Sequence, residues 1–238
     1  MNRILTTSVI GAAAAAALIV GTCAPAFAAG SATPAPSAPR GLAAIQAAAK
    51  IKTTQRIGSL TTAIAKITAA PDITASDRAT ILGTLGNDLT GMNSVEAKIA
   101  ADTTAATALA DFQTIFTTYR VYAVAIPQAR LVAAADRMTG TTIPRLSDAQ
   151  SKLAAALAGP DASKSTPALV ADLTNMQSEI AAATSALDGV AANALAVTPA
   201  DFNSNSAVMQ PIRSSVTTAI ADLKTAASDG KTVRAAIK

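Results

Sequence analysis

The sequence of 238 residues contains no histidine and no tryptophan, and Cys23 is its single cysteine. Without histidine, neither a Ser-His-Asp nor a Cys-His catalytic arrangement can form. Covalent thiol catalysis and thiolate metal sites need a cysteine, and Cys23 lies in a segment that we expect to be removed. The sequence also lacks dinucleotide-binding, P-loop and EF-hand motifs. These absences predict no catalytic residue, no cofactor and no metal site, which favours a protein that is not an enzyme.

Charged and aromatic residues are scarce, at 14% and 3% of the chain, whereas half of the residues are apolar. Alanine supplies about a quarter of the positions and threonine about an eighth. This composition argues against a disordered chain, which needs low hydrophobicity and a high net charge. No basic cluster accompanies the net charge of +4, so the sequence predicts no nucleic-acid partner.

The N-terminus has the three parts of a secretory signal peptide. Arg3 supplies a short positive region, residues 4–20 are uncharged and mainly apolar, and the sequence AFA at 26–28 fits the A-x-A cleavage pattern. We therefore expect a signal peptide at 1–28 and a mature protein that is secreted or held in the cell envelope.

The predicted mature chain opens with a proline-rich stretch. Residues 29–40, AGSATPAPSAPR, predict a flexible linker or a disordered mature N-terminus ahead of a domain at 41–238. A minor alternative is lipoprotein anchoring, because VGTC at 20–23 loosely resembles a lipobox that would lipidate Cys23. The longest uncharged run of the mature part, 189–200, is too short to cross a bilayer, so no transmembrane span is predicted there.

From residue 41 onward, apolar residues recur at steps of three and four, the spacing of amphipathic helices. Thr74 is the predicted N-cap of the second helix, with Asp77 as its acidic partner. The segment 119–126, YRVYAVAI, has strand-like alternation but no partner strand, so we interpret it as helix or as a broken joint ending before Pro127. In the first helix the predicted apolar stripe comprises Leu42, Ile45, Ala49, Ile57, Leu60, Ile64 and Ile67.

The last two helices carry the clearest pattern. The predicted seam of the first comprises Leu169, Leu173, Met176, Ile180, Ala183, Leu187, Val190, Ala194 and Val197, and that of the second comprises Met209, Ile212, Val216, Ala219, Leu223, Ala226, Gly230, Val233 and Ile237. Steps of three and four sustained over three or four heptads predict coiled-coil-like heptad packing. Short loops marked by proline or glycine make sequential helices antiparallel. The sequence thus predicts an all-α fold, an elongated antiparallel up-and-down bundle of five to six helices.

Four of the five aromatic residues of the mature part fall within eleven positions, and three arginines lie nearby. Phe112 and Phe116 are expected in the core, and the tyrosines that follow are expected where the core reaches the surface. The candidate binding patch, which would suit a polyanion, a sugar or a phosphorylated lipid, consists of Tyr119, Arg120, Tyr122, Arg130 and Arg137. The competing interpretation is a core cluster whose arginines pair with acids such as Asp136.

Three stretches carry a resemblance: FTTYRVYAVAIPQARLVAAADRM at 116–138, DITASDRATILGTL at 72–85 and VTPADFN at 197–203. With them, the chain resembles a group of uncharacterised, alanine-rich, secreted helical proteins of high-GC Gram-positive bacteria. The resemblance implies export and helical architecture, and it implies no activity and no functional residue.

Taken together, these features predict a non-enzymatic helical protein, secreted or associated with the cell envelope, that acts through surface contacts. Its expected partner is a cell-wall polymer or another envelope protein. An alternative is a module that binds cell-wall glycan or anionic lipid through Tyr119, Arg120 and Tyr122. A further alternative is an α-helical pore-former built on the apolar run 121–135, which Arg130 interrupts.

Overall fold

The structure, a computed structural model, describes residues 41–238. The predicted signal peptide at 1–28, the predicted linker at 29–40 and the possible anchor Cys23 lie outside the described residues. Within 41–238 the chain is mostly α-helical and contains no β-strand. The all-α prediction is confirmed.

Six helical segments form the bundle, which matches the five to six predicted. They are α1 (Leu42–Ala69), α2 (Ala75–Ala101), α3 (Ala105–Thr117), a continuous segment Val121–Ala158, α6 (Pro167–Leu187) and α9 (Gln210–Ala236). The continuous segment consists of a π-helical turn (Val121–Ala125), α4 (Ile126–Arg137), a second π-helical turn (Met138–Thr142) and α5 (Ile143–Ala158). Short connecting helices are a 3-10 turn (Ala162–Lys164), α7 (Val190–Ala196) and α8 (Pro199–Ser204). Of the described helices, none is both long and apolar enough to cross a membrane.

Two helix pairs of the bundle are antiparallel. Gln46 Nε2, near the start of α1, donates to the carbonyl of Ile99 near the end of α2 at 3.2 Å, so these two helices are antiparallel. Asn175 Nδ2 in α6 donates to Asp229 Oδ2 in α9 at 2.7 Å. Lys164 Nζ, ahead of α6, donates to the carbonyl of Ile237 after α9 at 2.6 Å, which makes α6 and α9 antiparallel as well.

The segment Val121–Ala158 comes after α3 in the chain and runs parallel to α1. The break between α3 and this segment lies at Arg120. The Arg120 backbone has φ 46° and ψ 37°, in the left-handed region that non-glycine residues rarely adopt. The stretch 119–126, for which helix and broken joint are both open, contains the joint at its start and is helical from Val121 onward. Pro127 does not end a helix; it lies in the first turn of α4, where its missing N–H is not needed.

Both π-helical turns precede an Ile-Pro pair. Pro127 is the second residue of α4, and Pro144 is the second residue of α5. A proline inside a continuous α-helix would clash with the carbonyl four residues earlier and remove a hydrogen bond. The wider π-turn provides the local adjustment that lets the helix continue through each proline.

The predicted seams of the last two helices are buried. In α6 the buried residues are Leu169, Leu173, Met176, Ile180, Ala183 and Leu187, and in α9 they are Ile212, Val216, Ala219, Leu223, Ala226, Gly230 and Val233. The predicted continuation of α6 to Val197 is wrong, because Gly189 turns the chain with φ 66° before α7 begins. Coiled-coil-like interdigitation along these seams stays a prediction.

The seam of α1 differs from the predicted apolar stripe. Ile57 and Ile64 are half-buried, whereas Thr53 and Arg56 are buried among apolar side chains. The steps of four and three continue through these two polar positions, so the apolar pattern correctly predicts Ile45, Ala49, Leu60 and Ile67 but omits Thr53 and Arg56. Thr53 Oγ1 donates to Glu96 Oε2 on α2 at 2.5 Å, which satisfies its hydroxyl.

Partial burial raises the pKa of a carboxyl group on α2. Burial of Asp88 on α2 raises its pKa from the ordinary 3.8 to about 6. Between about pH 4 and pH 6 the folded protein therefore binds a proton that the unfolded chain does not bind. The stability linked to this group is fully present below about pH 4, and it is lost as the pH rises through 6.

Leu223→Asp and Lys224→Asp test the phase of α9. Leu223 is buried and Lys224 is exposed, so Leu223→Asp should lower the free energy of unfolding by about 3–5 kcal/mol through burial of an unpaired carboxylate. Lys224→Asp should change it by less than about 0.5 kcal/mol. Chemical denaturation of both variants gives the comparison, and similar losses would mean that the helix face is assigned wrongly.

Asp88→Asn tests the pH dependence. The variant should raise the free energy of unfolding at pH 7 by about 1 kcal/mol, since it removes a charge that burial disfavours but that water partly screens. At pH 4, where the native carboxyl is already neutral, the two proteins should be equally stable. Denaturation curves at both pH values provide the measurement, and an equal gain at both would contradict the assignment.

Candidate functional site

A groove of about 500 Å³ lies between α1 and the start of the Val121–Ala158 segment. The polar or small residues of its α1 wall are Thr54, Gln55, Gly58, Ser59, Thr62, Ala63 and Lys66. The opposite wall includes Tyr122, Pro127 and Arg130. From Gln55 to Lys66 the helix rises roughly 16 Å, which sets the length of the groove.

Small side chains along one strip of α1 make room for the groove. Gly58, Ser59, Thr62 and Ala63 recur one turn apart and face the same wall. A Cβ atom placed on Gly58 would meet no other heavy atom within 4 Å. A glycine inside a helix costs about 1 kcal/mol relative to alanine, and at this position it keeps the groove open.

The charges that line the groove are positive. Lys66 on α1 and Arg130 on α4 are both exposed at one end of it. Within the described residues, its lining includes no carboxylate. The groove is therefore suited to a neutral or negatively charged ligand and unsuited to a cation.

Tyr122 forms the other end of the groove and is 47% exposed. Its hydroxyl donates to the carbonyl of Gln55 at 3.0 Å and shares a hydrogen bond of 3.0 Å with Ser59 Oγ. These contacts orient the ring while leaving part of it in solvent. An oriented, half-exposed aromatic ring is a flat apolar surface with a polar tip, as found at many recognition sites.

Arg56 lies behind the Tyr122 ring. Its guanidinium carbon is 4.9 Å from the centroid of the Tyr122 ring and 4.7 Å from that of Phe116, so the cation lies between two aromatic rings. One guanidinium nitrogen donates to the carbonyl of Lys52 at 3.0 Å. Burial lowers the pKa of Arg56, and the neighbouring Tyr122 phenol opposes that change. The side chain stays charged at neutral pH.

The five residues of the predicted patch do not lie together in the structure. Tyr122 and Arg130 line the groove together. Tyr119 packs on α2, where a Cβ on Gly91 would collide with its ring. Arg120 Nε donates to Asn203 Oδ1 at 2.7 Å, and its guanidinium carbon lies 5.2 Å from the ring centroid of Phe202, so this arginine holds α8.

Arg137, the fifth residue of the patch, lies at the end of α4 and contacts the turn between α1 and α2. Its Nε lies 3.9 Å from Asp72 Oδ2, which fits the competing interpretation that an arginine pairs with an acid. In the same turn the backbone N–H of Thr74 donates to Asp136 Oδ2 at 2.9 Å. Thr74 is the N-cap of α2 as predicted, because its hydroxyl accepts from the N–H of Asp77. Burial is the main reason that the pKa of Asp136 is raised.

The α1 wall of the groove escaped prediction from the sequence. Gly58, Ser59 and Lys66 lie about sixty residues before Tyr122, and nothing in their local pattern links them to it. Arg56 could have been identified from the sequence by one feature: it is a charged residue at a position where the helical spacing requires a buried one. Within residues 41–238, no three acidic side chains come together to hold a metal ion.

No family model, no curated protein and no solved structure matches the chain. The resemblance to alanine-rich secreted proteins of high-GC Gram-positive bacteria therefore stays a prediction.

Tyr122→Phe tests the hydrogen bonds that orient the ring. Removing a hydroxyl that donates to the Gln55 carbonyl should lower the free energy of unfolding by about 0.5–1.5 kcal/mol. Ser59→Ala should cost a similar amount, and the double variant should lose less than the sum because the two hydroxyls interact. Thermal and denaturant melts supply the values, and strictly additive losses would show that the hydroxyls act independently.

Proposed function

We propose that this chain is an exported, non-enzymatic binding protein that recognises a sugar-containing polymer of the cell envelope in the groove between α1 and α4. The single observation that carries the proposal is the oriented, half-exposed ring of Tyr122 at one end of a groove lined by hydroxyl groups. Export is supported by the signal-peptide pattern at 1–28.

A sugar suits the chemistry of the lining. Its C–H faces pack against a flat aromatic ring. Its hydroxyls can donate to the Ser59 and Thr62 oxygens, whose own protons go to carbonyls of α1, and can exchange hydrogen bonds with the Thr54 hydroxyl and the Gln55 amide. Ligand sites typically combine an apolar wall with a few polar groups that fix orientation. The groove has both, and its volume of about 500 Å³ lies in the range of small-ligand sites.

The non-enzymatic part of the proposal rests on chemistry. General acid–base catalysis needs a titratable group within hydrogen-bond reach of the substrate, most often histidine or a carboxylate. The chain has no histidine, and the described lining of the groove has no carboxylate. Lys66 and Arg130 supply charge that attracts a ligand, which is the role that we assign to them.

Tyr122→Ala and Gly58→Leu test the proposal by different means. The first removes the aromatic wall, and the second fills the groove from a position with free space around it. Each should reduce retention of the purified mature protein on washed wall material by about tenfold. Co-sedimentation across a range of protein concentrations provides the measurement, with muramidase release as a check that the wall is the target.

Gly83→Leu is the matched control. Gly83 also lies inside a helix, is exposed and has no heavy atom within 4 Å of an added Cβ. It should leave retention unchanged, whereas Tyr122→Phe, which keeps the ring but loses the hydrogen bonds that orient it, should reduce retention less than Tyr122→Ala does. Retention of Gly58→Leu equal to that of the unaltered protein would rule out the groove as the binding site. Sedimentation with anionic lipid vesicles and not with wall material would redirect the proposal to a lipid surface.

A further inference from the structure

We propose that Arg56 is a specificity-determining residue of this groove, and that the ligand it selects is an extended polyanion. The inference rests on the proposed function, since it names the class of polymer that the same groove would bind. Such a polymer carries sulfate, phosphate or carboxylate groups on sugar or polyol units. Arg56 would act on it through the Tyr122 ring.

Arg56 is a buried cation without a matching anion. Its side chain lies at a seam position of α1 and is 7% exposed. Among the described residues, no carboxylate lies within 4.0 Å of its guanidinium, and its Nε has no hydrogen-bond partner. Thr53 lies three residues before Arg56 and is bound to a carboxylate of α2. Glu96 Oε2 accepts a hydrogen bond of 2.5 Å from the Thr53 hydroxyl.

An arginine in this setting is a poor choice for stability alone. Burial of a charge is costly unless it is paired, and replacing buried ions with apolar residues of similar volume is often neutral or stabilising. The two aromatic rings offset part of the cost through cation–π attraction. A leucine or methionine would fill the same seam without that cost. The charge is therefore better explained by a ligand than by the packing.

The position of the charge relates it to the groove. The guanidinium carbon is 4.9 Å from the centroid of the Tyr122 ring, and that ring lines the groove. A ligand packed on the opposite face of the ring, at a contact distance of about 4 Å, would lie roughly 9 Å from the guanidinium carbon. Little water separates charges across a packed ring, so the attraction is screened less than at an open surface.

The remaining charges of the groove lie at its far end. Lys66 is ten residues beyond Arg56 on α1, a rise of roughly 15 Å, and Arg130 faces the same end from α4. Positive charge at both ends, with hydroxyl groups between them, matches a ligand that is long and repeatedly charged. A single small anion would reach one end only.

Binding of dextran sulfate and of neutral dextran of the same length separates charge selection from groove shape. The mature protein should bind dextran sulfate more tightly. Arg56→Met should weaken dextran sulfate binding by about tenfold, leave neutral dextran binding unchanged, and melt at the same or a higher temperature. Arg56→Lys, which keeps the charge, should retain the preference to within about threefold. Lys224→Ala, which removes an exposed cation on α9, is the control for non-specific attraction.

Three results would overturn the inference. The first is that Arg56→Met keeps the full preference for dextran sulfate. The others are that it loses affinity for both polymers equally or that it fails to fold, and either would make Arg56 a structural support. The proposed function fails differently, through the unaltered protein binding neither polymer nor wall material, or through Gly58→Leu having no effect. Equal binding of both polymers by the unaltered protein, abolished by Gly58→Leu, would preserve the proposed function and remove the inference.

Discussion

Burial of small side chains between helices is the constraint on which the rest of this structure depends. Ala49, Ala219, Ala226 and Gly230 occupy seam positions, and such residues let helix axes approach closely. On Gly230 an added Cβ would come within 3.2 Å of Met176. At these positions a large side chain would push the helices apart, so the larger core residues lie between them along each seam. Phe116 and Tyr122 enclose Arg56 where α1 meets α3 and the segment that follows, and the groove opens beside Tyr122.

The fold could be predicted where the apolar pattern is uninterrupted. The seams of α6 and α9 are buried at the expected positions because every step of three or four places an apolar residue on the same face. The prediction was wrong where the end of a helix depends on the backbone conformation of a single residue. Gly189 in a helical pattern suits close packing as well as a left-handed turn, and only the folded chain distinguishes the two. The break at Arg120 could not be predicted, because non-glycine residues seldom adopt the left-handed conformation found there.

The candidate site was predictable in part for a related reason. Tyr122 and Arg130 line the same groove because they lie about two helical turns apart on one segment. Tyr119 and Arg120 were grouped with them by proximity in sequence, but the left-handed residue between helices sends these side chains toward α2 and α8. The α1 wall requires a contact between distant parts of the chain. A single sequence carries no information about such contacts.

The two π-helical turns have a consequence for the direction in which the Val121–Ala158 segment faces. A π-turn holds one residue more than an α-helical turn, and each extra residue rotates the following helix by about 100° about its axis. Two of them rotate it by about 200°. Along its length the segment contacts α1 and α2 through α4, and α6 and α9 through α5. One continuous helical segment thereby contacts both antiparallel pairs, with two inserted residues in place of a loop.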